Sequence, residues 1–382
     1  MKFTVSKAAL LDKLIPAMGS VSVKNTIRSI EGVLIETRDD GKIEISTYDM
    51  NKGFKAYIDA ESIEEEGKYI INAQRLLQTV RVLSDEFLTI EVKEDLSCTI
   101  KSGRSSFSMQ SMKGSEFPSL PELSDERGFE ISSSLFRKII SKVINSVSDT
   151  ERTNINGALI EIEGDRIKAV SCNGVSLSTA EAVCDINSIG KGSEEKINLR
   201  LPGHSLSELL KILPDDDGKK VSIFIARKHA VIKMDDIIFF TRTVDGDYIE
   251  YERLIPSSQT VFVTLDREAL LSALERANLI AEEKIQGSGR GYVKITVKDD
   301  KMEFESVSAN GKVYDEMDCV HEGDDIEIGF NCRLLISAVK SLEDQNIKIT
   351  MKSPTQAITL EGAEQNEKEK YFYMVLPVRM NG

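Results

Sequence analysis

The chain is expected to fold as an α+β protein of three tandem domains, each with two helices packed on antiparallel sheets. Three observations predict this. A strand-then-helix opening recurs three times. A glycine-led hairpin and a Leu-Leu helix follow each copy in the same order. The segments between them are short and alternate apolar with polar residues.

The openings are Phe3-Thr4-Val5-Ser6-Lys7-Ala8-Ala9-Leu10-Leu11, Phe129-Glu130-Ile131-Ser132-Ser133-Ser134-Leu135-Phe136 and Val263-Thr264-Leu265-Asp266-Arg267-Glu268-Ala269-Leu270-Leu271. Each is an alternating strand, then Ser or Asp at an N-cap position, then a helical apolar pattern. The hairpins come next. Gly32 to Glu36 turns at Asp39-Asp40-Gly41-Lys42 into Ile43 to Ile45. Gly157 to Glu161 turns at Glu163-Gly164-Asp165-Arg166 into Ile167 to Val170. Gly291 to Ile295 turns at Lys298-Asp299-Asp300-Lys301 into Met302 to Phe304. A second helix follows in each repeat, with the pairs Leu76-Leu77, Leu209-Leu210 and Leu334-Leu335. The strands Leu88 to Val92, Val221 to Ile225 and Ile347 to Met351 come after these helices. Helices are therefore expected over 7–17, 72–83, 132–145, 205–213, 266–280 and 331–342. Pro/Ser-containing linkers near Phe117 to Pro121 and Leu254 to Ser258 set domains of 1–120, 128–254 and 259–382.

A length of 382 residues suits several domains, and 41% hydrophobic residues with 29% charged is ordinary for a globular protein. No apolar run approaches the roughly 20 residues of a membrane span, and the first residues lack a secretory core. Cys98, Cys172, Cys184, Cys319 and Cys332 are scattered without a CxxC pair. That argues against a disulfide framework or zinc site and fits a reducing cytoplasm. His204, His229 and His321 are far apart. No metal or cofactor is expected.

A net charge of −14 argues against simple wrapping of nucleic acid. Yet the helical segments hold Lys7, Lys13, Arg75, Arg81, Arg137, Lys138, Lys142, Lys211, Arg267, Arg276, Arg333 and Lys340. Against these stand only Asp12, Glu208, Asp266, Glu268 and Glu275. Lys and Arg are good helix formers and suit solvated faces, but Glu is about as good and much scarcer here. A chain basic on its helices and acidic elsewhere suits a polyanion held on one side. Such contacts are directed at phosphate and indifferent to sequence. No helix-turn-helix, zinc finger or aromatic RNA-binding pattern is present. The strand alternation fits sheets covered on one face by helices.

Catalytic signals are weak. Gly287-Ser288-Gly289-Arg290-Gly291 lies between helix and strand, the wrong order for a dinucleotide loop. Asp215-Asp216-Asp217-Gly218 after Pro214 reads as an exposed turn before it reads as a cation site. No Walker A, GxSxG or HExxH sequence occurs. Two other classes stay open at this point: an acidic repeat scaffold without a nucleic-acid role, and a hydrolase built on a carboxylate pair, for which no spacing nominates residues.

Four segments carry a resemblance over the whole chain: Ser102-Gly103-Arg104-Ser105-Ser106-Phe107, Asn156-Gly157, Val244-Asp245-Gly246 with Tyr251, and Leu376-Pro377-Val378-Arg379-Met380. With the triple repeat, they resemble the bacterial DNA polymerase III β subunit family, the sliding clamps. The resemblance implies clamp domains in a ring-shaped head-to-tail homodimer, whose helices line a hole for double-stranded DNA. It implies no catalysis, but a processivity role with a replicative DNA polymerase, a clamp loader, and mismatch-repair and translesion factors. These would dock short apolar-plus-Gln peptides into a pocket of Ile155, Cys172, Gly174, Leu177, Arg253, Leu254, Met374, Leu376, Pro377, Val378 and Met380. DNA-facing residues would be Lys24, Arg75, Arg81, Arg137, Lys138, Lys142, Arg152, Arg333 and Lys340. The dimer faces would include Phe107 and Met109 at one end, and Leu279 and Ile280 at the other. Read alone, the apolar dimer residues equally fit a core, and the C-terminal run an edge strand. The chain departs from the family in places. Many members carry Asp-Gly-His-Arg-Leu where Asn173-Gly174-Val175-Ser176-Leu177 stands here, and a proline is common at the position of Ile249. The chain also runs on to Asn381-Gly382.

Overall fold

The structure, a computed structural model, describes residues 1–23, 26–120, 127–150, 154–190, 196–226, 228–281, 291–308, 311–364 and 367–380. Lys24, Arg152 and all but the last glycine of the 287–291 loop lie outside them. The described residues hold six α-helices: α1 (Lys7–Ala17), α2 (Ala73–Val82), α3 (Ser133–Val143), α4 (Gly203–Ile212), α5 (Arg267–Ala281) and α6 (Cys332–Ser341). These match the expected segments to within a few residues at each end.

Local chemistry explains where the helices begin. Ser6 Oγ accepts from the Ala9 N–H at 3.5 Å, and Asn72 Oδ1 from the Arg75 N–H at 3.0 Å. Asp266 Oδ1 accepts from the Ala269 N–H at 2.8 Å, and Asn331 Oδ1 from the Arg333 N–H at 3.1 Å. Each bond satisfies a backbone donor left free by the first turn. The three hairpins form as expected, pairing Ile35 with Ile45, Ile160 with Ala169 and Ile295 with Phe304. Their turns use left-handed backbone at Gly41 (φ 79°), Gly164 (φ 62°), and Asp299 and Asp300 (φ 49° and 58°). Glycine and aspartate tolerate that region best.

Packing divides the chain differently from the repeats. One compact unit comprises Met1–Ser134, Asn187–Ser193 and Ser207–Thr243. The other comprises Leu135–Ile186, Glu194–Leu206 and Val244–Gly382. The central repeat therefore gives strands to both. In the first unit a 14-stranded sheet runs across the repeat boundary. Strand Lys52–Asp59 pairs antiparallel with Ile237–Arg242, setting Phe54 opposite Phe239 and Gly53 opposite Phe240. In the second unit a 9-stranded sheet crosses the other boundary. Strand Ser176–Val183 pairs with Glu369–Val375, setting Leu177 opposite Met374. A 4-stranded sheet completes that unit.

In the first unit helices cover one sheet face, as expected, and the opposite face is buried as well. Strand Gly32–Thr37 is buried almost throughout. Val33 and Ile35 pack with Leu10 and Leu14 of α1 and Leu76 and Val80 of α2. Leu34, between them, points the other way into a second cluster with Tyr48, Ile70, Phe117, Phe224, Val231 and Phe240. Period-two alternation puts neighbouring side chains on opposite faces, and here both faces are dry. In the second unit, Leu270 and Leu274 of α5 and Leu335 and Val339 of α6 are buried beside Ile295, Phe330, Ile349 and Leu360.

Candidate functional site

An apolar cluster in the second unit gathers residues from four separate stretches of chain. Ile155, Leu159, Val170, Cys172, Leu177, Tyr251, Ala357 and Met374 form its buried part, with Tyr248, Ile249, Ile255 and Phe372 packed on it. Ile155, Cys172, Leu177 and Met374 were expected there. Ile249 stands where the family resemblance places a pocket proline. Leu159, Val170, Tyr248, Tyr251, Ile255, Ala357 and Phe372 go beyond the expected pocket, because they arrive through sheet register and loop packing rather than through any local pattern.

The rim is built from turns. At Gly174 the backbone is left-handed (φ 88°), which a residue bearing Cβ resists. Asn173 Oδ1 accepts from the N–H groups of Val175 (3.1 Å) and Ser176 (2.8 Å) and from Ser176 Oγ (3.1 Å). That turn leaves Val175 46% exposed and turns Ser176 inward at 7%. The Leu376 N–H donates to the Val175 carbonyl at 2.9 Å, so the C-terminal run lies beside the turn. Leu376 is itself 38% exposed. Pro377 and Val378 are half-buried. The Val378 N–H donates to the Gly329 carbonyl at 2.8 Å, and the Met380 side chain lies over Gly329. Val378 and Met380 thus fasten the tail to strand Ile326–Phe330.

The segment from Asp245 to Leu254 forms the opposing rim. Arg200, 5% exposed, reaches it from strand Ile197–Leu201. Its guanidinium donates to the carbonyls of Gly246 (3.0 Å), Asp245 and Asp247 (both 3.3 Å) and Asn156 (2.9 Å), and lies 5.1 Å from the Tyr248 ring centroid. Burial lowers its pKa from the usual arginine value. Sequence reasoning missed Arg200, because alternation in Ile197-Asn198-Leu199-Arg200-Leu201 places it on the solvent side. A loop some 45 residues away covers it. Further along, Tyr251 is buried and its hydroxyl donates to Glu161 at 2.8 Å, while Lys196 pairs with the same carboxylate at 2.8 Å. Burial opposes ionisation of Glu161, but these bonds outweigh it and hold its pKa below the usual value. Arg253, mostly exposed, pairs with Glu250 at 2.5 Å, and Leu254 is 41% exposed.

The basic residues separate into two kinds. Arg75 and Arg81 are exposed on α2, opposite its buried Leu76, Leu77 and Val80. On α6, Arg333 and Lys340 are exposed, and Lys340 meets Glu275 at 2.8 Å. Arg137 is half-buried. Lys142 corrects the expectation of a DNA-facing lysine. It is 2% exposed. Its ammonium donates to the Ser341 carbonyl at 2.7 Å, pairs with Glu343 at 2.8 Å and sits 4.4 Å from the Tyr371 ring centroid. Burial lowers its pKa against the pull of Glu343. Its place on α3 facing α6 makes it a strut, because a buried cation is tolerated only when paired. Lys138, half-buried, pairs with Glu369 at 2.5 Å and reaches Glu343 at 3.9 Å.

Phe107 is 38% exposed and Leu279 74% exposed, while Met109 and Ile280 are half-buried. Met109 packs on the first unit's core. Asp216 closes the acidic turn by accepting the Gly218 N–H at 2.9 Å. A cleft of about 920 Å³ beside α1 is lined by Ile15, Met18, Ile212 and Met234. Its lysines are paired: Lys13 with Asp12 and Asp236, Lys211 with Glu208, and Lys219 with Asp235. Among the described residues no group of His, Cys, Asp and Glu forms a metal site, and no helix is long and apolar enough to cross a membrane.

Family models described as the DNA polymerase III beta subunit match most of the chain: the N-terminal domain over residues 1–121, the central domain over 130–250 and the C-terminal domain over 252–379. A beta sliding clamp of Bacillus subtilis is 27% identical, over 99% of this chain and all of its own. The solved DNA polymerase III beta subunit of Thermotoga maritima superposes with a TM-score of 0.88 at 26% identity, covering both chains completely. The DNA polymerase sliding clamp of Bacillus subtilis does so at 0.88 and 25%. With three matched domains in this order and a continuous sheet across each junction, the chain belongs to the DNA polymerase III beta subunit family.

Proposed function

We propose that this protein is a DNA sliding clamp: a cytoplasmic, non-catalytic ring that encircles duplex DNA and tethers the replicative polymerase. The observation that carries this reading is the match of all three family domains across the chain. The exposed Arg75, Arg81, Arg333 and Lys340 would meet phosphates without gripping any sequence, while the net charge of −14 keeps the rest of the surface from holding DNA. Weak lateral contacts suit sliding, because retention is topological. Lys24, Arg137, Lys138 and Arg152 are further candidates for this face.

A head-to-tail homodimer would close the ring. Residues Ser105–Gln110 have a named strand partner on one side only, Ser97–Ser102, and carry exposed Phe107 beside Arg104. Strand Lys312–Asp318 is an edge of its sheet and carries Asp315, Glu316 and Asp318. Two open strand edges invite such pairing, and Arg104 in the turn before the first would face the carboxylates of the second. Phe107 and Met109 of one copy would lie near Leu279 and Ile280 of the next.

The apolar cluster with its open rim would take the clamp-binding peptides of the polymerase, the loader, and mismatch-repair and translesion factors. Apolar walls with a few fixed polar groups suit such a ligand. A processivity assay tests the reading. With polymerase and loader from the same cell on a primed single-stranded circle, the protein is expected to convert short products into full-length ones. Removal of residues 376–382 is expected to restore short products. Short products with the intact chain would contradict the proposal.

A further inference from the structure

We propose that Asn173-Gly174 is a site of spontaneous deamidation, where the folded chain turns an asparagine into an aspartyl or isoaspartyl residue. The sequence holds the pairs Asn156-Gly157, Asn173-Gly174, Asn310-Gly311 and Asn381-Gly382. Asn310, Asn381 and Gly382 lie outside the described residues. An asparagine before glycine cyclises readily, because no Cβ on the glycine obstructs attack by its amide nitrogen. The two described pairs are in opposite states. Gly157 is buried, its N–H donates to the Ser148 carbonyl at 2.8 Å, and the Asn156 carboxamide nitrogen donates to the Thr150 carbonyl at 3.0 Å. A Cβ on Gly157 would sit 2.4 Å from the Leu201 carbonyl oxygen. Gly174 is exposed, and nothing lies within 4 Å of where its Cβ would be. Its N–H has no acceptor among the described residues.

The turn also prepares the electrophile. Asn173 Oδ1 accepts from the Val175 N–H at 3.1 Å, the Ser176 N–H at 2.8 Å and Ser176 Oγ at 3.1 Å. Bonds to the second and third following residues fold the carboxamide forward over its own backbone, toward the Gly174 peptide. These donors draw charge from Cγ and stabilise the oxyanion that forms on Oδ1 when a nucleophile adds there. Asn173 Nδ2, the leaving group, has no partner among the described residues. The Gly174 nitrogen gives its proton to water and bonds to Asn173 Cγ. The Cγ–Nδ2 bond breaks, and Nδ2 takes a proton from water and leaves as ammonia, which closes a succinimide ring. Water then opens the ring. Addition at Cγ breaks its bond to the Gly174 nitrogen and gives aspartate. Addition at the main-chain carbonyl carbon of residue 173 gives isoaspartate, with the chain running through Cγ. One water is consumed and one ammonia released. An aspartate keeps an acceptor oxygen for the same turn donors. Isoaspartate adds a methylene to the main chain just before Gly174 and so displaces Val175, whose carbonyl receives the Leu376 N–H at 2.9 Å. That consequence for docking rests on the clamp reading, whereas the chemistry of the turn does not.

Ageing of the full-length protein tests this. The folded chain, and the same chain unfolded in guanidinium chloride, are held at mildly alkaline pH. Samples are cleaved in acid and read by mass spectrometry, and isoaspartate is counted with an isoaspartyl methyltransferase. In the folded chain Asn173 is expected to lose ammonia about tenfold faster than Asn156, since the Gly157 hydrogen bond has to open before Asn156 reacts. In the unfolded chain the two rates are expected to converge. Equal rates in the folded chain, or a faster Asn156, would overturn the proposal. Product persisting in this fragment of Asn173→Gln would assign the reaction to another residue and overturn it as well. Ser176→Ala removes one donor from Oδ1 and is expected to slow Asn173 several-fold while Asn156 keeps its rate. An unchanged Asn173 rate in a variant with the parent thermal transition would strike that donor from the account. Aged protein enriched in isoaspartate is expected to give several-fold shorter products than fresh protein in the processivity assay. Unchanged products would remove the effect on docking and leave the deamidation standing, and failure of the fresh protein would contradict the clamp reading alone.

Discussion

The two junctions where sheets cross repeat boundaries share one backbone device and differ in everything attached to it. At the first, Lys52–Asp59 against Ile237–Arg242, the seam is aromatic and dry. Phe240 lies over Gly53, and its ring centroid is 5.6 Å from that of Tyr48. At the second, Ser176–Val183 against Glu369–Val375, polar groups line the joint. Ser146 bonds Ser176 and Ser178, Lys138 meets Glu369, and Lys142 meets Tyr371 and Glu343. The apolar cluster that holds Leu177 and Met374 lies beside this second junction. A dry seam closes a surface permanently. A seam held by hydrogen bonds and paired charges keeps its register because such bonds are directional.

The contrast predicts unequal responses to mutation. Phe240→Ala should cost about 3–5 kcal/mol, read as a lowered denaturant midpoint, because it empties the first seam. A loss below about 1 kcal/mol would show that the aromatic cluster does not hold that junction. Gly53→Val should cost about 1–3 kcal/mol by overpacking, since even a Cβ there would sit 1.9 Å from Phe240. Away from the first seam, in the second unit, effects should be smaller. Glu161→Gln should cost about 1 kcal/mol at pH 7, a charged hydrogen bond partly screened by solvent. The folded-state pKa of Glu161 lies below the ordinary 4.5. Its contribution is therefore complete above that value and lost as pH falls through the folded pKa. Parent and variant melting temperatures should converge in acid, and a difference that grows with acidity would contradict the assigned partners. Smallest of all, Lys142→Met should change stability by less than about 1 kcal/mol, because a buried charge and its desolvation leave together. It should not alter the salt dependence of DNA binding. Arg75→Ala with Arg81→Ala should flatten it, by about 0.9 in logarithmic slope per lost phosphate contact. A flatter slope for Lys142→Met would return that lysine to the DNA face.

The legible part of this protein was its local chemistry. Caps such as Ser6 and Asp266, the three hairpins and the helices followed from spacing alone, because each depends on residues a few positions apart. The core residues Ile155, Cys172, Leu177 and Met374 came from the family resemblance, and they meet in one cluster. Burial set by distant chain was not legible. Leu34 looked like one more strand residue until Phe224 and Phe240 covered its face. Arg200 alternated toward solvent until the Asp245–Asp247 carbonyls closed over it. Lys142 had the helix position of a solvated lysine, and only Ser341, Glu343 and Tyr371 reveal it as a strut.

Topological retention tests the central claim most directly. The protein is loaded with a clamp loader and ATP onto nicked circular plasmid, half of the sample is linearised, and both halves are passed through gel filtration at high salt. Retention on circles with loss from linear DNA is the result expected of a ring that encircles duplex. Equal retention on both forms would mean ordinary lateral binding and would contradict the clamp.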